Sequence, residues 1–202
     1  DLEDTKVTPL LEEDKKFTFV AKASDSDAIL YKREAYDEFP NLWVAKDASF
    51  ETVQQHTQFH MDLKERWNWG SAELVDWLST DGTFIQGVVI KPDNYDPNKR
   101  YPIMTYYYRF LTNRLHDFNE PKTNHRPVFA QYVSDDYVVF LPDIRFEIGR
   151  PGFAATKSVV PGIQKLVELG IADPDKLGLH GHSWSGYQTA FIVTQTDIFD
   201  AA

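Results

Sequence analysis

The chain has 202 residues, 31 Asp+Glu against 21 Lys+Arg, a formal charge of −10, and 42% hydrophobic residues with no cysteine. That is enough apolar material for a real core. It disfavours a nucleic-acid groove, since no basic run offsets the acidity, and it removes disulfides, thiolate catalysis and Cys-based zinc sites. No stretch of ~18 apolar residues occurs, so no spanning helix is expected, and the acidic start Asp1-Leu2-Glu3-Asp4 is unlike a signal peptide. Either a cytoplasmic protein or one whose true start lies upstream fits, and a periplasmic location stays open.

Residues 1 to about 60 read as four short strands. Phe17, Phe19 and Ala21 alternate with polar neighbours, Ser24-Asp25-Ser26-Asp27 turns the chain, and Ala28–Tyr31 opens a second strand. Pro40-Asn41 punctuates before Leu42–Ala45, and Glu51–Thr57 forms the fourth. Four strands at this spacing suit a meander or one propeller blade, which cannot bury both its faces alone. The pattern turns irregular around His60–Gly70, and the domain boundary is placed there. Glu73–Leu78 and Phe84–Lys91 then form a hairpin about Asp81-Gly82. Ile103–Tyr108 and Tyr137–Leu141 are apolar runs of the kind buried in a parallel sheet.

Between those runs lie a polar stretch, Arg109–Arg126, and a short helix near Val128–Val133. Ser158 is expected to cap the next helix, with Pro161 in its first turn and Gly170 as its stop. Asp173-Pro174-Asp175 turns into a strand at Leu177–His180, and a last helix runs from about Trp184 to Thr196. Antiparallel strands followed by alternating strands and helices describe an α/β sheet.

The segment Leu177-Gly178-Leu179-His180-Gly181-His182-Ser183-Trp184-Ser185-Gly186-Tyr187 carries the chemistry. An apolar strand ends in a small-residue turn with serine at its apex, and a helix follows at once, the arrangement of a nucleophile elbow. Such a turn exposes the Ser183 hydroxyl and aims the Trp184 N–H at a developing oxyanion. The second small position is Ser185 where the G-x-S-x-G pattern has glycine, with Gly186 following. A Gly/Ser-rich turn without chemistry is the plain alternative.

These residues resemble the prolyl oligopeptidase family of serine peptidases. The likeness extends to Gly87–Pro92, Tyr95–Pro102, Asp136–Arg145, Ile171–Gly178 and Thr194–Asp197, in order and spacing over about residues 71–202. It implies an α/β fold: the last part of an all-β propeller and linker at 1–70, then at 71–202 an α/β-hydrolase domain incomplete at its C-terminus. It further implies Ser183 as nucleophile, the Trp184 backbone N–H as one oxyanion donor and the Tyr108 hydroxyl as the second. Arg109-Phe110 departs from the small residues that usually follow that tyrosine. The implied substrate is a peptide and no cofactor is implied. A carboxylesterase, or a binding module that kept the fold without the chemistry, are the competing readings.

Other groups carry less. His56 and His60 have zinc-pair spacing without the glutamate of H-E-x-x-H, so no metal site is assigned. His180 and His182 are read as structural, and Asp143 and Arg145 as a salt bridge holding a loop. Gly149–Gly152 is read as a turn. The family orders its triad Ser, Asp, His, whereas all six histidines precede Ser183 and Asp197 and Asp200 stand too close to it. The triad Asp and His are therefore expected outside this chain, the chain to be a fragment, and the 202 residues alone to be inactive.

Overall fold

The computed structural model describes Val7, residues 9–60 and residues 62–202. These form two compact units, one of residues up to Lys64 with His116–Phe118, the other of Glu65–Leu115 with Asn119–Ala202. The opening Asp1–Asp4 lies outside the described residues.

The first unit is an antiparallel meander of β1 (Lys16–Lys22), β2 (Ile29–Ala35), β3 (Glu38–Ala45) and β4 (Val53–Gln55), paired in chain order. Pro40-Asn41 lies inside β3 rather than before it. Asn41 is buried, and its side-chain oxygen accepts hydrogen bonds from the Thr57 hydroxyl and the Phe59 N–H, both at 2.9 Å. Those two bonds fasten the segment after β4 to β3 and satisfy a buried amide oxygen. Tyr31, Ala35, Tyr36 and Ala45 supply the buried apolar surface, while Phe19 stays 67% exposed.

One helical turn, α1 (Leu63–Arg66), leads into β5 (Ser71–Leu78) and β6 (Phe84–Lys91), then β7 (Tyr101–Tyr106), α2 (Phe129–Ser134), β8 (Val138–Pro142), α3 (Pro151–Glu168), β9 (Ala172–His180) and α4 (Trp184–Ile192). The sheet order is β5-β6-β8-β7-β9. β5, β6 and β8 pair antiparallel, whereas β7 is parallel to both β8 and β9. The second unit is thus a mixed α/β sheet with helices, as the apolar runs of β7 and β8 require. Leu177–His180, the end of β9, has β7 as its neighbour, and β8 lies on the far side of β7. Beyond β9, Ala201 bridges to Gly178 and its carbonyl accepts the Leu179 N–H at 2.9 Å.

Helix α3 begins at Pro151, well before the expected cap. Proline at the first helical position loses no intrahelical bond, so Gly149–Gly152 is a helix entry and not a free turn. Ser158 sits mid-helix, buried, its hydroxyl turned back onto the Ala154 carbonyl at 2.8 Å. Ala155, Val159, Ile163 and Leu166 form the stripe that packs on the sheet.

Pro161 is in the body of α3, where it removes the N–H that would bond the Lys157 carbonyl. The Thr80 N–H, from the β5–β6 turn, takes that carbonyl at 3.3 Å, and the Trp77 indole N–H takes the Ser158 carbonyl at 2.8 Å. Trp77 fits because Gly87 and Gly162 bear no side chain. A β-carbon at Gly162 would lie 2.8 Å from the indole, and one at Gly87 would lie 3.0 Å from it.

Candidate active site

Leu177 and Leu179 of β9 are buried in the core, so the strand's direction is fixed as it delivers the chain to Gly181. A β-carbon at Gly181 would lie 2.2 Å from the Ser185 carbonyl oxygen and 2.4 Å from the Thr189 hydroxyl. Only glycine fits so close an approach of the turn to the helix. Ser183 follows with φ 56° and ψ −116°, a backbone conformation that L-residues rarely adopt, and α4 starts at the next residue. Its side chain is exposed at the head of the helix. The first N–H groups of a helix have no intrahelical acceptor, so the Trp184 N–H is free to donate at this turn.

Ser185 is not an intrusion. It is fully buried, its hydroxyl accepting the His182 N–H at 2.8 Å and donating to the His182 carbonyl at 2.9 Å. One side chain therefore clasps both polar groups of the residue before Ser183. Beneath it, Thr189 donates to the Ser185 carbonyl at 2.9 Å and meets the Tyr107 hydroxyl at 2.6 Å. Burial pushes the Tyr107 phenol up to about 12, partly opposed by that hydrogen bond. Tyr107 stays a neutral support under the turn.

Tyr108 does not end a strand: β7 stops at Tyr106, and Tyr108 stands in the following loop, 43% exposed. With Arg109, Phe146, Pro151 and Trp184 it lines a cleft of about 690 Å³. With His182, Arg114, His125 and Arg126 it lines a second recess of about 180 Å³. Tyr108 is thus common to two hollows that also take in the residues on either side of Ser183.

Asp143 and Arg145 do not pair. The buried Asp143 carboxylate accepts the Leu111 N–H at 2.6 Å, the Thr112 N–H at 3.0 Å and the Thr112 hydroxyl at 2.6 Å. It holds the 3₁₀ turn at Thr112–Arg114, and with it the loop carrying Tyr108. Arg145 lies over the Phe110 ring at 5.2 Å, with Arg109 on the same ring at 5.1 Å. That stacking gives the unusual Arg109-Phe110 pair its place in the loop.

His180 packs on Tyr106, with centroids 5.7 Å apart, and His182 on His125 at 4.5 Å. His60 rests against Phe39 at 4.5 Å. Among the described residues, no group of three or more His, Cys, Asp or Glu could hold a metal ion, and no helix is long and apolar enough to cross a membrane. Arg114, His125 and Arg126 were not candidates in the sequence. They lie in an aperiodic polar stretch, and only the folded loop brings them beside His182.

A family model described as the prolyl oligopeptidase family matches residues 128–202, the stretch from α2 through β9 and α4. The resemblance is to the prolyl oligopeptidase family. Dipeptidyl peptidase 8 of Mus musculus and of Homo sapiens are each 27% identical over 148 residues, covering 64% of this chain and 16% of their own length. The chain therefore spans about a sixth of these relatives. A puromycin-hydrolyzing peptidase of Mycobacterium tuberculosis superposes with TM-score 0.73 at 16% identity, covering 100% of this chain and 32% of that one. Pyrococcus horikoshii acylaminoacyl peptidase gives 0.69 at 18%, covering 97% and 32%. Porphyromonas gingivalis dipeptidyl peptidase 4 gives 0.67 at 15%, covering 95% and 29%. At these identities the structural likeness is one of fold, and it spans both units of the chain.

Proposed function

We propose that these residues carry the nucleophile of a serine peptidase, with residues 1–70 as the end of a β-propeller and 71–202 as the first part of an α/β-hydrolase domain. The observation that carries the reading is Ser183 itself. An exposed serine at φ 56°, between a strand anchored by buried Leu177 and Leu179 and a helix N-terminus, is a strained position of the kind that gathers at active sites. In this reading the Ser183 Oγ attacks the peptide carbonyl, and its proton passes to a histidine. The oxyanion takes hydrogen bonds from the Trp184 N–H and the Tyr108 hydroxyl. The amine leaves with that proton, and water then releases the acyl group from Ser183.

The histidine and its orienting carboxylate are assigned to parts of the protein outside these residues. His180 and His182, nearest to Ser183 in sequence, pack on Tyr106 and His125. A serine hydroxyl without a positioned base loses roughly 10²–10⁴ in rate.

The test is fluorophosphonate labelling of the full-length protein, which reports activated serines. Labelling at Ser183, lost in Ser183→Ala, supports the reading, and labelling elsewhere or nowhere refutes it. Tyr108→Phe should slow acylation by about 10²–10³, as for comparable oxyanion donors. The 202 residues expressed alone should fail to label. Matched amide and ester substrates separate a peptidase from an esterase.

A further inference from the structure

The recess beside His182 is cationic in a chain of formal charge −10. Its lining is Tyr106, Tyr108, Phe110, Leu111 and the four groups Arg114, His125, Arg126 and His182. Among the described residues neither Arg114 nor Arg126 takes part in an ion pair. The Tyr106 hydroxyl is the one buried phenol of the recess. Burial raises its pKa, and the nearby charges of Arg126 and Arg114 oppose that rise. His125 titrates below its ordinary value, through partial desolvation and then through His182 and Arg126. Positive charge is thus concentrated here and already felt by its neighbours.

The position matters as much as the charge. His182 immediately precedes Ser183, and Tyr108 lines both this recess and the cleft that takes in Trp184, the residue after it. A residue of an extended chain advances about 3.3–3.6 Å, so a group in the recess belongs to a residue close to the bond at Ser183. Guanidinium groups present forked donors that match a carboxylate.

Resting on the reading of Ser183 as nucleophile, we propose that this recess is a specificity subsite for a carboxylate of the peptide substrate, held by Arg114 and Arg126 next to the scissile bond. Two carboxylates could fill it, an Asp or Glu side chain or the terminal carboxylate of a short peptide. The charge sets a preference among substrates; it takes no part in bond breaking.

The experiment compares peptides that differ only in Asp against Asn near the scissile bond, and neutral peptides ending in a free acid against an amide. Affinity is measured by calorimetry on full-length Ser183→Ala, and kcat/KM on the wild type. Hydrogen bonds to a charged group correspond to about tenfold to a hundredfold. The carboxylate member of one pair should be preferred by that factor, and which pair responds names the source. The preference should shrink as salt rises and collapse toward one in Arg114→Gln and Arg126→Gln. The salt series uses the unaltered protein and so stands even if a variant misfolds. An affinity ratio near one for both pairs overturns the subsite. A retained affinity ratio without turnover or labelling would leave the subsite standing and overturn the nucleophile instead.

Discussion

The turn at Ser183 is held by contacts that differ sharply in tolerance from one residue to the next. At Gly181 an added methyl group has nowhere to go, because the atoms it meets are the Ser185 backbone and the Thr189 hydroxyl. Overpacking of this sort costs about 1–3 kcal/mol, and the movement that relieves it displaces the helix head. Gly181→Ala should lower Tm and labelling together. At Gly186 the nearest atom to a β-carbon is the Gly181 carbonyl oxygen, an ordinary 3.5 Å away. Alanine there gains helix propensity, up to ~1 kcal/mol. Gly186→Ala should melt no lower than wild type, and a drop equal to that of Gly181→Ala would refute this account of the turn. The G-x-S-x-G pattern alone makes Gly186 a substitute for the missing second glycine. The pattern encodes size, and it is blind to a serine hydroxyl that bonds both the N–H and the carbonyl of His182.

At the scale of elements, the β5–β6 hairpin is tied to α3 through one lysine. Lys157 reaches both Asp81 at the hairpin tip and Glu147 before the helix. Lys157 first, then Ser79 and Thr83, hold the Asp81 carboxyl well below the usual carboxylate range. The depressed value fixes the sign of the pH effect. The stabilisation is fully present above the unfolded carboxyl's pKa near ~3.9 and is lost as pH falls toward the folded value. Asp81→Asn should therefore lower Tm at pH 7, with the gap to wild type closing as pH falls below about 4. A gap that persists in acid would place the effect in the geometry of the turn and not in the Asp81 charge.

The same elements show which signals were local. The hairpin was legible because Asp81-Gly82 lies between two alternating runs, and β7 and β8 because their burial leaves nearly continuous apolar residues. The start of α3 was not, since Arg150 caps it without a side-chain hydrogen bond while Ser158 offers a hydroxyl that looks like a cap. Strand order was not legible either. It rests on which strands pair at long range, and the apolar runs of β7 and β8 are interchangeable in that respect.

At the scale of the whole molecule, burial is shared unequally. β8 is buried along all of its length, whereas β1 has five of its seven residues exposed. Elements with few buried apolar side chains open at lower free energy than core strands. Amide protection should be lost first from β1–β4 and last from β6–β8, in two separable groups. A single exchange rate across both sheets would mean that the two units unfold as one. The elbow's existence could be read from eleven consecutive residues. The recess beside it could not, because Arg114, His125 and Arg126 lie about sixty residues before His182 in the chain and meet it only in the folded loop.

Ser183 keeps its φ of 56° at a cost that glycine would not bear. Left-handed strain on a non-glycine residue amounts to about 1–3 kcal/mol, against the ~0.5–1 kcal/mol that glycine's greater freedom costs. Ser183→Gly should thus melt above Ser183→Ala. In a lineage no longer selected for hydrolysis, the substitution that ends the chemistry would also be one that improves folding. On the proposed reading of Ser183 as nucleophile, descendants released from that selection should drift toward glycine at this position, and descendants still under it should keep serine.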